Sequence, residues 1–196
     1  MQDVVTLGEA MVLLAAAEAG PLAQVQQFTK HTAGAETNVA VGLARLGYRV
    51  SWVSRLGDDS MGHYLRASFE AEGIDCSHVE MVAGGKTGMM FKTLSVAGND
   101  PTIEYHRKDS AASQLRADDV DWPWFEQARH LHTTGIYPAL TPNTWEVTQS
   151  AMERMRANGK SVSFDPNLRP ALWASTDQMR ASINAWRSAG GCSTMR

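Results

Sequence analysis

Arg107 and Arg169 are the side chains in this sequence whose chemistry is easiest to name. A guanidinium meets a carboxylate through a two-point fork, so two arginines at one place suit a carboxylate-bearing ligand. Tyr105 stands two positions before Arg107, which puts both on one face of a strand. Gly34-Ala35 precedes a helical stretch ending in Leu46-Gly47. Gly34 has no Cβ and lets backbone approach a ligand closely. The amides behind it fall at a helix N-terminus, where hydroxyl oxygens and anions find unpaired donors. Asn38, one turn on, can both donate and accept. Gly135-Ile136 and the run Asp165 to Arg169, with Asn167 inside it, each follow a segment that reads as a strand. The same residues admit plainer roles. Tyr105 can cover a sheet face, Arg107 can be an edge-strand charge, Arg169 can simply pair with Asp165, and Gly34 can belong to an ordinary loop-to-helix junction.

Other chemistry is poorly supported. Gly84-Gly85-Lys86-Thr87 resembles the end of a phosphate-binding loop, but Glu80 stands where its first glycine is needed. Of six histidines, His130 and His132 alternate on a strand, with no acidic or cysteine partner at metal-ligand spacing. No nucleophile elbow is present. Cys76 and Cys192 lie far apart and define neither a disulfide framework nor a metal site. The 196 residues carry 18 basic and 21 acidic side chains, a net charge of −3, with no basic cluster of the kind nucleic acid needs. The apolar run Met11 to Ala17 is too short for a membrane span and lacks a signal peptide's basic flank. The expectation is a cytoplasmic protein with a small-molecule partner and neither nucleic acid nor membrane.

The elements that must position these residues read as an α/β chain. Val4 to Gly8, Arg49 to Leu56, Asp75 to Val82, Arg129 to Gly135 and Lys160 to Phe164 read as strands of a mostly parallel sheet. Helices are expected over 35–46, with Val39, Leu43 and Leu46 inward, and over Ser60 to Glu72, with Met61, Leu65 and Phe69 inward. Asp118 to Ala128 reads as a short aromatic-rich helix. Pro142 to Asn158 follows, capped by Thr141, with Trp145, Met152 and Met155 inward. A last helix after Ser175 turns Met179, Ile183 and Trp186 inward. Thr87 to Val96 and Ile103 to Arg107, around Gly98-Asn99-Asp100-Pro101, read as a hairpin. It interrupts the strand–helix alternation, so it is expected to stand outside the parallel sheet as a flap. In a parallel sheet ligands bind beyond the carboxyl ends of the strands, where Gly34, Gly135-Ile136 and Asp165 to Arg169 all fall.

Gly34-Ala35-Glu36-Thr37-Asn38-Val39-Ala40, with its helix ending Leu46-Gly47, resembles the first signature of the PfkB (ribokinase-like) carbohydrate kinases. Gly57-Asp58-Asp59-Ser60-Met61-Gly62 fits the same family. Phe164-Asp165-Pro166-Asn167-Leu168-Arg169-Pro170-Ala171-Leu172-Trp173 is similar to its sugar-acid branch, above all the 2-keto-3-deoxygluconate kinases, with fructokinases next. The resemblance implies a ribokinase-like three-layer αβα sandwich with a small β-strand lid, the lid strands near 11–30 and 87–108. It implies ATP-dependent phosphorylation of 2-keto-3-deoxygluconate at its 6-hydroxyl, or of fructose or 5-dehydro-2-deoxygluconate, with ATP and Mg²⁺ for the intact enzyme. A sugar acid is expected to be held by Gly34, Ala35, Asn38, Tyr105, Arg107, Ile136 and Arg169, with Met90, Asp165 and Asn167 as further candidates. Met90 stands where the sugar-acid kinases commonly carry tyrosine. The lid also implies a homo-oligomer formed through it.

The family's second motif, Gly-Ala-Gly-Asp, supplies the base and the anion cradle for phosphoryl transfer. This sequence has no such motif; Ser188-Ala189-Gly190-Gly191-Cys192 has glycines without an acid. Residues 1–184 are therefore expected as the N-terminal portion of the kinase domain, and 185–196 as a non-family tail of the kind a frameshift produces. No catalytic residue is assigned, little binding of ATP or Mg²⁺ is expected, and so is a catalytically inactive fragment. Asp165 is the one acid considered as a substitute base, and an ion pair with Arg169 is expected to hold it ionised. The last two strands are expected to lack neighbours, and Met152, Met155, Ile183 and Trp186 to lose cover, with poor solubility as the result.

Overall fold

Every residue of Val4–Leu7 (β1) is buried, so this strand needs cover on both faces and along both edges. In the computed structural model, which describes residues 2–95 and 100–190, it lies at the centre of a parallel sheet. The chain continues through β2 (Met11–Ala16), β3 (Phe28–Ala33), α1 (Ala35–Arg45), β4 (Val50–Gly57), α2 (Ser60–Ala71), β5 (Val79–Val82), β6 (Met89–Lys92) and β7 (Ile103–His106). Then come α3 (Trp122–Phe125), β8 (His130–Thr134), α4 (Pro142–Ala157), β9 (Ser161–Asp165) and α5 (Thr176–Gly190). The main sheet has the order β5-β4-β1-β8-β9, and all four pairings are parallel.

Alternation along the strands divides the core in two. Val5, Leu7, Val53 and Leu131 point to α3, α4 and α5, where Phe125, Val147, Met152, Met155 and Trp186 meet them. Val4, Val50, Trp52 and Leu56 point to α1 and α2, where Ala40, Leu65 and Phe69 meet them. Helices thus lie on both faces of the sheet, as the strand–helix alternation predicts.

β2, β3, β6 and β7 form a second sheet, ordered β3-β2-β6-β7. β6 and β7 pair antiparallel, with Met90 opposite Tyr105 and Lys92 opposite Ile103. β2 joins them in parallel through Leu13 and Met90. The expected hairpin therefore stands outside the parallel sheet. Gly98 and Asn99 of its expected turn, and the sequence beyond residue 190 including Cys192, lie outside the described residues.

Several expectations need correction. α1 does not turn Val39 and Leu46 inward: Leu46 is 76% exposed, while Glu36, Thr37 and Ala40 are buried. Small side chains let this helix lie close to the sheet, and the 3.6-residue period then carries Val39 and Leu46 away from it. The segment 118–128 is not one helix. It breaks into a 3-10 turn, Ala117–Asp119, and the single turn of α3, which starts afresh from the Asp121 cap with Pro123 in its first turn. Of 75–82, only β5 is a strand; Asp75 makes a lone bridge to Ser51. Met152, Met155 and Trp186 are buried rather than stripped of cover, because α4 and α5 pack together and Trp186 stacks on Trp145 at 4.3 Å. Of the last two strands, β8 is paired on both sides and β9 lies at an edge of the sheet. α5 runs without a break from Thr176 through Gly190.

One carboxylate joins the two sheets. Asp59 caps α2, accepting from the amides of Met61 and Gly62 at 3.0 and 2.7 Å, and its other oxygen accepts from the amide of Thr87 at 2.9 Å, just before β6. The Thr87 hydroxyl in turn accepts from the amide of Gly57 at 3.1 Å. Partial burial works against the Asp59 charge, but the amides of Gly62 and Thr87 outweigh it and hold its pKa below the usual value. Gly62 is required here, since a Cβ would come within 2.0 Å of the Gly57 carbonyl oxygen. Asp59→Ala is expected to cost about 1–3 kcal/mol, a lost cap plus an orphaned amide, and Asp59→Asn less. Urea unfolding measures both, and equal midpoints for wild type and Asp59→Ala would refute this role.

Candidate functional site

The carboxyl ends of β1, β8 and β9 open toward the root of the second sheet. β1 is followed by Gly8 and Glu9, and Glu9 is only 3% exposed. An isolated carboxylate so deeply buried is costly unless paired and hydrogen-bonded. Glu9 has both kinds of partner. Ser110 donates its hydroxyl to Oε1, and the guanidinium of Arg107, one residue beyond β7, forms an ion pair with Oε2. Gly88 sits over this pair, and a Cβ there would lie 2.8 Å from Glu9 Oε1 and 3.5 Å from Arg107 Cβ.

A second carboxylate, Glu36, lies in the first turn of α1 and is 1% exposed. Its Oε1 accepts from the Thr134 hydroxyl at 2.7 Å, and that hydroxyl accepts from the Ile136 amide at 3.1 Å. Gly8 makes the room, because a Cβ there would fall 2.4 Å from the Glu36 carboxyl carbon. Burial pushes the Glu36 pKa up to about 7, against the Thr134 hydrogen bond and the Arg107 charge; Glu9 adds to the rise. Tyr137 is fully buried, donates to the Ala112 carbonyl at 2.7 Å, and has its pKa raised well above the usual value by burial and the two carboxylates.

The loops meet through close backbone contacts. Gly34 is the N-cap residue of α1, and a Cβ on it would strike Thr37 Oγ1 at 2.3 Å and the Glu9 carbonyl oxygen at 2.9 Å. The Gly135 amide donates to the Asp165 carbonyl at 2.8 Å, and a Cβ on Gly135 would lie 2.4 Å from the Pro166 carbonyl oxygen. Asp165 accepts from the Asn167 amide at 2.9 Å, with Asn167 in the left-handed region at φ 39°.

The structure therefore brings together Gly34, Ala35, Arg107, Ile136 and the 165–167 turn around Glu9 and Glu36. Tyr105 and Met90 face each other across the β6–β7 pair, with Tyr105 51% exposed. Arg169 is exposed and donates to the neighbouring Leu168 carbonyl, and no ion pair between it and Asp165 forms among the described residues; Asp165 accepts from the Asn167 amide instead. Asn38 is set apart. It lines a groove between α1 and α2 with Arg45, Tyr64 and Glu72. Glu9, Glu36, Ser110 and Thr134 were not singled out from sequence, although an acid on the small-residue face of a helix is a visible anomaly.

The family model of the pfkB carbohydrate kinases matches residues 1–189. This chain belongs to the PfkB carbohydrate kinases. Among its relatives, the 2-dehydro-3-deoxygluconokinase of Bacillus subtilis is 44% identical over 183 residues, 93% of this chain and 56% of that protein. The chain thus spans about half the length of that relative. A PfkB protein from Polaromonas sp. JS666 superposes with a TM-score of 0.93 at 55% identity, over 97% of this chain and 64% of that one. A sugar kinase from Pyrococcus horikoshii, solved in complex with ATP, superposes with a TM-score of 0.86 at 28% identity, over 95% and 61%. The αβα architecture with its second β-sheet is the PfkB fold.

Among the described residues, no group of three or more His, Cys, Asp or Glu side chains could hold a metal ion. The Gly84-Gly85 turn leads into β6 rather than into a helix. No helix among the described residues is long and apolar enough to cross a membrane.

The buried Glu36 fixes a pH dependence of stability. Its folded pKa lies above the unfolded value, so the folded state holds the extra proton between about pH 4.5 and 7. Stability from this group is complete below that window and is lost as pH rises through 7. Unfolding free energies of wild type from urea titrations are expected to fall from pH 5 to pH 8, by on the order of 3 kcal/mol at most, relative to Glu36→Gln. Parallel profiles for the two proteins would contradict the burial argument.

Proposed function

We propose that this chain forms the sugar-acid-binding part of a PfkB kinase whose reaction is the ATP-dependent phosphorylation of 2-keto-3-deoxygluconate at its 6-hydroxyl. The observation that carries this reading is Arg107. It is a largely buried guanidinium at the carboxyl ends of the strands, held by Glu9 and roofed by Gly88. A desolvated guanidinium of fixed orientation is the group that tells a sugar acid from a neutral sugar. The 44% identity to a 2-dehydro-3-deoxygluconokinase supports the same choice.

In this reading the Gly34 and Ala35 backbone and Ile136 hold the sugar's hydroxyls. Arg107 holds its carboxylate, with Arg169 swinging in from the exposed loop. Tyr105 covers the sugar from the lid, beside Met90. Asn167 keeps the Asp165 turn in shape. Asn38, in its separate groove, is left out of the binding set. The face bearing Ile103 and Tyr105 is exposed enough to meet a ligand or the lid of a second copy.

Titration calorimetry with 2-keto-3-deoxygluconate, and with D-fructose as the neutral sugar, tests this. The acid is expected to bind wild type more tightly than fructose does. Arg107→Ala is expected to weaken the acid by ~2–5 kcal/mol, the cost of stranding one partner of a buried charged pair, and fructose far less. Arg169→Ala, at an exposed position, gives a second variant that leaves the buried pair intact and should also weaken the acid selectively. Equal affinity for both sugars, unchanged in both variants, would sink the reading.

A further inference from the structure

The sugar-acid reading gives no task to Glu36, the most deeply buried carboxylate of the site. Its surroundings give it one. Glu36 sits two residues after Gly34 and grips, through Thr134, the amide of Ile136. One side chain therefore ties the α1 entry loop to the loop after β8. The second of these is tied to the third loop by the Gly135–Asp165 bond. The space for Glu36 exists only because Gly8 lacks a side chain.

From this geometry we infer that Glu36 is a positioning residue that joins two sugar-binding loops and whose charge state sets how well an anionic sugar binds beside it. The inference rests on the sugar-acid reading above. The groups that face Glu36 can be named by element. After β1 lies Glu9, which carries negative charge. After β7 lies Arg107, already paired with Glu9. On β8 and in the loop after it lie Thr134 and Tyr137, both neutral. Opposite Thr134 in the sheet register lies Asp165, with its carboxylate turned to Asn167. The guanidinium is thus offset by Glu9 before any ligand arrives. With Glu36 neutral, the Glu9–Arg107–Glu36 cluster carries no net charge and accepts an anion. With Glu36 ionised the cluster is negative and opposes one. Oε1 accepts from Thr134 in either state, so the proton changes the charge while the loops stay joined. Bound anion and proton therefore favour each other.

The dissociation constant for 2-keto-3-deoxygluconate is expected to rise about fivefold from pH 6 to pH 8 in wild type, the share of a one-unit coupling that falls in that range. Glu36→Gln keeps the acceptor for Thr134 and removes the charge, so its affinity should not vary over that range. Glu36→Ala should bind about tenfold more weakly than Glu36→Gln at every pH, and Thr134→Ser should bind better than Thr134→Val. D-Fructose binding should show no such pH dependence. The ligand-free arm follows the Ile136 amide by NMR from pH 5 to 9. Its shift should titrate with a midpoint near neutrality that Glu36→Gln abolishes. If wild type binds the acid with one affinity across pH 6–8, equal to that of Glu36→Gln, the inference is wrong. If wild type binds no acid at any pH, the sugar-acid reading fails, and a flat Ile136 titration or a Glu36-dependent one then decides the loop-joining role by itself.

Discussion

Two carboxylates buried where three strands end constrain most of what surrounds them. Glu9 demands a counter-charge, and Arg107 can supply it only if the second sheet is folded back over the first. Glu36 demands a hydroxyl, and Thr134 can supply it only if β8 lies beside β1 in its observed register. Each also demands space, which explains why Gly8, Gly34 and Gly88 stand where they do. The pattern of small residues around this site follows from the need to pack large polar groups without stranding them.

The fold was legible because the main strands and helices announce themselves. β1 is a short apolar run, β4 is rich in apolar residues, β9 alternates polar and apolar ones, and α2 and α4 have good caps. The β6–β7 hairpin was legible because it breaks the alternation. α1 was misread for an instructive reason. Its large apolar residues, Val39 and Leu46, suggested one face, whereas Glu36, Thr37 and Ala40 occupy the buried one. Hydrophobic pattern reports burial only where size and polarity agree. In a helix that must approach a sheet closely beside a polar site, they do not.

The candidate site divides in the same way. Arg107, Tyr105, Gly34 and Ile136 were visible because each lies at a strand end or in a motif. Glu9 and Glu36 were not, because in sequence a buried carboxylate looks like any surface acid. Only tertiary structure shows that Glu9 meets Ser110, a residue 101 positions away. Asp165 and Arg169 both make local bonds instead of the expected ion pair, Asp165 with the Asn167 amide and Arg169 with the Leu168 carbonyl, and such local bonds form at little entropic cost.

The Asp59–Thr87 link has a mechanical side. It pins one end of β6 to the N-terminus of α2, while the other end of the strand runs free of the main sheet. A strand of four residues is a lever of roughly 13 Å at about 3.3 Å per residue. Turning it by about 10° about Thr87 would carry its far end, and the paired Ile103, through roughly 2 Å, while Arg107, close to the pivot, would hardly shift. In the sugar-acid reading proposed above, the part of the flap that would recognise charge is thus its axle, and the part that would cover the ligand is its rim.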